Sequence, residues 1–295
     1  MAADGESWIR RRGSLPTLVL WLPLSLVVIV TSLSSRGGLA CRGRESPGRE
    51  EKQTQATRVA PQEPNWPRHG HPAFQERVGE RRQMARRQIE ERGVKDPRVL
   101  EAVRRVPRHV FVPVAQRAYA YEDGPLPIGH GQTISQPYVV AFMTEALKLD
   151  PNAVVLEIGT GSGYQAAVCA EIAREVYTIE IIEPLAKSAA GLLLQLGYDN
   201  VHVRAGDGYF GWPEKGPFDA IIGTAAAEEI PPLLLGQLKK GGRMILPVVG
   251  DDGFQYLILL TKDPQGQLQR QNVLPVRFVP MTGVSTTSAR PGAAP

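Results

Sequence analysis

From residue 154 onward, short apolar runs alternate with longer amphipathic stretches. The runs at 154–158, 176–181, 201–205, 218–223 and 243–249 are mostly apolar and bounded by turn residues, as buried parallel strands are. Between them, 164–174 and 183–196 read as helices, the second stopping at Gly197. Segments 255–261 and 269–274 are predicted to close the sheet by antiparallel pairing. This rhythm predicts an α/β fold, a Rossmann-like, doubly wound, mostly parallel sheet with helices on both faces. Upstream, 75–91 reads as a charged helix stopped by Gly93. Asp96-Pro97 reads as an N-cap and a first-turn proline, opening a helix that breaks at Pro107. The sheet thus carries an N-terminal helical extension.

The first 73 residues have a different pattern. Arg10, Arg11 and Arg12 precede an apolar stretch at 15–30, and Gly38-Leu39-Ala40-Cys41 follows, which is the form of a secretory signal. The stretch is also near the lower length of a membrane span. Residues 1–41 are therefore read as a signal-like or anchor segment, with membrane contact through 13–33; a misassigned start is the other reading. Residues 42–73, rich in Pro, Gly, Gln, Glu and Arg, read as a disordered linker. The folded domain is expected over 74–284, followed by a flexible tail at 285–295.

Charge follows the same division. Residues 1–120 hold 22 Lys and Arg against 12 Asp and Glu, and the remainder holds 12 against 18. The basic excess thus lies outside the sheet, as a solvated face rather than a nucleic-acid surface. Two cysteines, Cys41 and Cys169, make no disulfide framework, and no Cys/His spacing suits zinc. Cys169 sits in an apolar run and reads as core. A monomer is expected, since no long apolar helix is left unassigned.

The chemistry is concentrated after the first core strand. Glu157-Ile158-Gly159-Thr160-Gly161-Ser162-Gly163 turns from strand to helix, where glycines let a ligand approach the backbone. The first two glycines fit a nucleotide fingerprint; the third, Gly163, does not have the dinucleotide spacing. S-adenosyl-L-methionine has no phosphate to cradle, and its ammonium group suits a strand-end carboxylate such as Glu157. Glu180, at the end of the next strand, is placed to accept from ribose hydroxyls, and Asp207, after the third, to reach an adenine amino group.

The segment Pro127-Ile128-Gly129-His130-Gly131-Gln132-Thr133-Ile134-Ser135-Gln136-Pro137-Tyr138 narrows the reading. With 155–167, 206–214, 218–226, 237–247 and 275–283, it resembles the protein-L-isoaspartate O-methyltransferases, over roughly residues 83–283. That resemblance implies methyl transfer from S-adenosyl-L-methionine to the free α-carboxyl of L-isoaspartyl residues in damaged proteins, starting repair through a succinimide. It implies Ser135 as the active-site residue, Thr133 and Ile134 as pocket residues, and Glu157, Glu180, Asp207 and Gly208 at cofactor positions, joined by Thr282. The glycines Gly159, Gly161 and Gly163 belong to the same cofactor set, and no metal is expected. Gly223 stands where a larger apolar residue is common in the family.

Local chemistry alone gives Ser135 another role, as the N-cap of a helix with Pro137 in its first turn. His130 reads as a surface or pocket-lining residue, because a carboxylate acceptor is already ionised and needs no base. Rival readings are a same-fold methyltransferase with another acceptor, a nicotinamide oxidoreductase, and a membrane-tethered binding module. Cofactor supply places the activity in the cytoplasm; the apolar N-terminal segment argues for anchoring or export.

Overall fold

The computed structural model describes residues 69–283. The apolar segment at 13–33, Cys41, the stretch at 42–68 and the tail at 285–295 lie outside the described residues. His71 Nδ1 accepts from the Ala73 N–H and caps a tight turn at Pro72–Gln75, which buries Ala73 and Phe74.

The predicted charged helix is a single helical run of changing pitch. It opens as α1 (Val78–Met84), widens over Ala85–Ile89, tightens over Glu90–Arg92 and ends at Gly93, whose φ is +106°. Its charge is not all solvated. Arg81 is buried and donates from its two terminal nitrogens to the Ala73 and Phe74 carbonyls, while its Nε is buried without a hydrogen-bond partner among the described residues. Arg108, past the next helix, is also buried and donates to the Ala120 carbonyl; burial pushes it down to about 10. Helix α2 (Pro97–Arg105) starts as predicted, with the Asp96 carboxylate accepting from the Arg98 N–H. A hairpin then forms from β1 (Leu126–Gly129) and β2 (Gln132–Ile134), before α3 (Pro137–Leu147).

The sheet is built from β3 (Val154–Ile158), β4 (Glu175–Glu180), β5 (Val201–Ala205), β6 (Phe218–Gly223), β7 (Leu238–Val249), β8 (Gln255–Lys262) and β9 (Leu268–Val276). Its order is β5-β4-β3-β6-β7-β8-β9, and β8 alone runs against the rest. Helices α4 (Tyr164–Ala170) and α5 (Glu183–Gln195) cross over between β3, β4 and β5 and pack with α3 on one face. The chain then returns past β3 to β6, and α6 (Pro232–Gln237) covers the opposite face through Leu234. That reversal follows from right-handed crossovers on both sides of β3, and it opens a crevice between the carboxyl ends of β3 and β6. Every residue of β3 is buried, Glu157 included, which explains why the run is otherwise apolar. The start of β7, at residues 238–242, contains two lysines and two glycines and was hidden from a hydrophobic pattern. Among the described residues no helix is long and apolar enough to cross a membrane.

Candidate active site

A cleft open to solvent lies at that reversal. Its floor is the glycine loop. Gly159 has φ +96°, and a Cβ there would lie 2.5 Å from Thr224 Oγ1. Thr224, just past β6, donates from that hydroxyl to the Ile158 and Gly159 carbonyls, so the loop is fastened across the crevice. Gly161 (φ +52°) also lines the cleft. Gly163 does not: a Cβ there would meet Leu193 of α5 at 3.1 Å, which makes it a helix-packing glycine.

Two carboxylates follow on adjacent strands. Glu157 is fully buried at the cleft. Its Oε2 accepts from Thr178 Oγ1 at 2.6 Å, while Oε1 has no partner. Thr178 Oγ1 also shares a 2.6 Å hydrogen bond with the Thr160 hydroxyl, in which either oxygen can be the donor. Burial, against the Thr178 hydrogen bond and helped by the Glu180 charge, pushes the Glu157 carboxyl up to about 8. Glu180 accepts the Gly161 N–H at 2.8 Å through Oε2 and the Ile182 N–H at 2.9 Å through Oε1. It therefore shapes the loop as well as facing the cleft. Asp207 stands back from the lining; its Oδ1 accepts the Tyr209 N–H and caps the turn at Gly208–Phe210. Gly208 lines the cleft in close contact with Ile158, and Gly283 packs directly on the Asp207 carboxylate.

The opposite wall comes from the hairpin and the chain that follows it. Thr133, Ile134 and Ser135 line the cleft there, Thr133 exposed and Ser135 half-buried. The capping reading of Ser135 is corrected: Gln136 occupies the N-cap of α3 with no side-chain cap bond, and the helix starts one residue later than that reading needs. His130 is exposed at the hairpin turn, with φ +53°, away from the lining. Residues 279–282, Thr282 included, cross the strand ends, held by the Ala226 N–H to Val279 carbonyl bond and the Met281 N–H to Ala226 carbonyl bond. Gly223 has a physical reason to stay small: a Cβ there would lie 2.7 Å from Leu246 Cβ.

The cleft thus gathers nine of the eleven expected site residues and leaves Gly163 and Asp207 outside its lining. It adds Thr160, Tyr164, Gln165 and Thr224, which sequence reasoning did not select. Thr224 had a signal: it follows the strand facing β3 across the reversal, where ligands bind in open sheets. A second groove adjoins the cleft and shares Thr133, Ser135, Thr224 and Val279 with it.

Comparison with known proteins agrees with this architecture. The profile of the protein-L-isoaspartate(D-aspartate) O-methyltransferase family matches residues 80–286. A protein-L-isoaspartate O-methyltransferase 2 from Syntrophobacter fumaroxidans is 64% identical over 188 residues, covering 64% of this chain and 76% of that protein. A solved protein-L-isoaspartate O-methyltransferase superposes with a TM-score of 0.63 at 32% identity, over 69% of this chain and 67% of its own. The structure of a putative member from Plasmodium falciparum, in complex with S-adenosyl-L-homocysteine, shares the fold with a TM-score of 0.59 at 24% identity, over 68% of this chain and 98% of its own. A family profile spanning most of the chain, and a sheet reversal carrying the glycine loop and the Ser135 segment together, place this chain in the protein-L-isoaspartate(D-aspartate) O-methyltransferase family.

Proposed function

We propose that the cleft binds S-adenosyl-L-methionine and that Ser135 presents to it the free α-carboxyl of an L-isoaspartyl residue in a damaged protein. The observation that carries this reading is the position of Ser135, on the wall shared by the cleft and the groove. A side chain there touches both a nucleoside held at the strand ends and a polypeptide lying outside.

The cleft's own chemistry fits the cofactor. An unpartnered, fully buried carboxylate oxygen on Glu157 asks for a cationic donor, which an aminoacyl ammonium provides. Glu180 keeps lone pairs beyond its two backbone bonds, and these suit ribose hydroxyls. When bound, the cofactor supplies an activated methyl group on sulfur. The chain's part is alignment: Thr133 and Ile134 shape the pocket, Ser135 donates to the acceptor carboxylate, and the glycine loop lets the ligand lie against backbone. Holding reactants at contact distance is worth roughly 7–11 kcal/mol in favourable systems. The acceptor is ionised at neutral pH, so no general base is required.

Labelled S-adenosyl-L-methionine offered with one peptide in isoaspartyl and aspartyl forms tests the reading. Transfer to the isoaspartyl form alone is expected. Cofactor binding without transfer to either would sink the acceptor assignment and favour another acceptor on the same fold. Cofactor supply also leads us to place the activity in the cytoplasm, with the domain working as a monomer; fractionation and sedimentation test those two points.

A further inference from the structure

The groove beside the cleft is bounded on one side by the chain leaving β9, through Val276 and Phe278, and on the other by Pro125, Tyr138 and Val139. Its lining is largely apolar, and its charged members are two arginines, Arg92 and Arg277, with no carboxylate. The two differ in how they are held. The Arg92 guanidinium lies 3.8 Å from the centre of the Tyr138 ring and 3.1 Å from the Asp123 carboxylate. Asp123 Oδ1 also accepts from Gln136 Nε2 at 2.7 Å, so Arg92 is stacked, paired and largely neutralised. Arg277 is exposed and forms no hydrogen bond or ion pair among the described residues. The groove therefore has a net positive end, supplied by one uncommitted side chain.

This groove runs into the cleft at Thr133 and Ser135. A polypeptide whose isoaspartyl carboxylate reaches Ser135 must lay its neighbouring residues along it. We propose that Arg277 is a specificity-determining residue, favouring acceptors that carry an acidic side chain close to the isoaspartyl residue. The proposal rests on the isoaspartyl acceptor reading above. An exposed arginine with no internal carboxylate to leave gives up little when it pairs with a substrate glutamate, whereas a lysine brought to the same place is repelled. Because the site is wet, the effect is modest and screened by salt.

The test uses the full chain and peptides of one sequence with a central isoaspartyl residue. The flanks carry Glu, Ala or Lys, varied on each side in turn. For the side that lies in the groove, kcat/KM should favour Glu over Ala by about threefold and Glu over Lys by about tenfold at low salt, through KM. Raising the salt to about 0.5 M should compress both ratios. Arg277→Gln should bring the Glu-to-Ala ratio close to one, and Arg277→Glu should invert the preference. Binding of S-adenosyl-L-homocysteine at parental affinity confirms that both variants keep the cleft. The same selectivity in Arg277→Gln as in the parent, or a parental preference for Lys flanks, overturns the proposal alone. Absence of transfer to every isoaspartyl peptide would remove the acceptor reading and this proposal with it.

Discussion

At the glycine-loop end of the cleft, Glu157 and Glu180 ride on two adjacent strands that are paired on both sides and nearly all buried. At the acceptor end, Thr133 and Ser135 ride on a hairpin with strands of four and three residues and on the turn before α3. The first end is fixed by the sheet's own hydrogen bonds and core. The second depends on a half-exposed loop. A nucleoside common to every turnover can be met by a rigid surface, while acceptors drawn from many damaged proteins need a more open one. Changes at the first end should therefore damage both stability and cofactor affinity, and changes at the second should reach the reaction alone.

The largest effect is expected from Gly159→Ala. Its Cβ would overlap Thr224 Oγ1 at a φ of +96°, which alanine tolerates poorly. A loss of about 3 kcal/mol in urea unfolding is expected, together with loss of cofactor binding. A stable variant with parental affinity would show that the loop is not the rigid element. Next comes Ser135→Ala, expected to lower kcat by about 10- to 100-fold, the worth of a hydrogen bond to a charged group, with unchanged cofactor affinity by calorimetry. Equal loss of both would merge the two ends of the comparison. Glu180→Ala should weaken cofactor binding by about tenfold, since it removes charge-assisted bonds, and should loosen the Gly161 loop. Unchanged affinity would remove Glu180 from the cofactor's contacts.

The smallest effect concerns pH. The Glu157 carboxyl, raised by burial to about 8, holds its proton more tightly in the folded chain than in the unfolded one. Without cofactor, stability from this group is highest in acid and declines as the pH rises from the ordinary carboxyl range through 8. Glu157→Gln should match the parent near pH 4 and exceed it near pH 6, by about 2 kcal/mol. Urea midpoints at the two pH values check this. An identical pH slope in parent and variant would mean that Glu157 is ionised throughout.

The same contrast separates what was legible in the sequence from what was not. β3 and β6 were read with their observed bounds because parallel strands buried on both faces are mostly apolar runs, and β5, at the sheet edge, because its apolar Val201, Val203 and Ala205 alternate with His202 and Arg204. Glu157 and Glu180 followed because strand ends in such sheets face ligands. The β1–β2 hairpin was not read, since three- and four-residue strands containing Pro127 and Gly129 offer no alternation to detect. Ser135 was misread as a cap because capping is a local preference, while the start of α3 is set one residue later by how the chain leaves the hairpin. Asp207 lies just past the end of β5, where its Oδ1 accepts from the Tyr209 N–H and Gly283 packs beside its carboxylate, a backbone role the strand pattern does not reveal. Arg81 and Arg108 read as solvated charge because composition cannot show that carbonyls at Ala73, Phe74 and Ala120 await them.

The crossing of residues 279–282 over the strand ends has a consequence in time as well as in space. Synthesis delivers the hairpin and all seven strands of the sheet before it delivers Met281 and Thr282. A nascent chain halted before residue 279 would hold a sheet of full width and a glycine loop, with one side of the chamber missing. The ability to retain a nucleoside would then arrive abruptly, as residues 279–282 leave the ribosome, so that a product halted just before them could fold and still fail to trap the methyl donor.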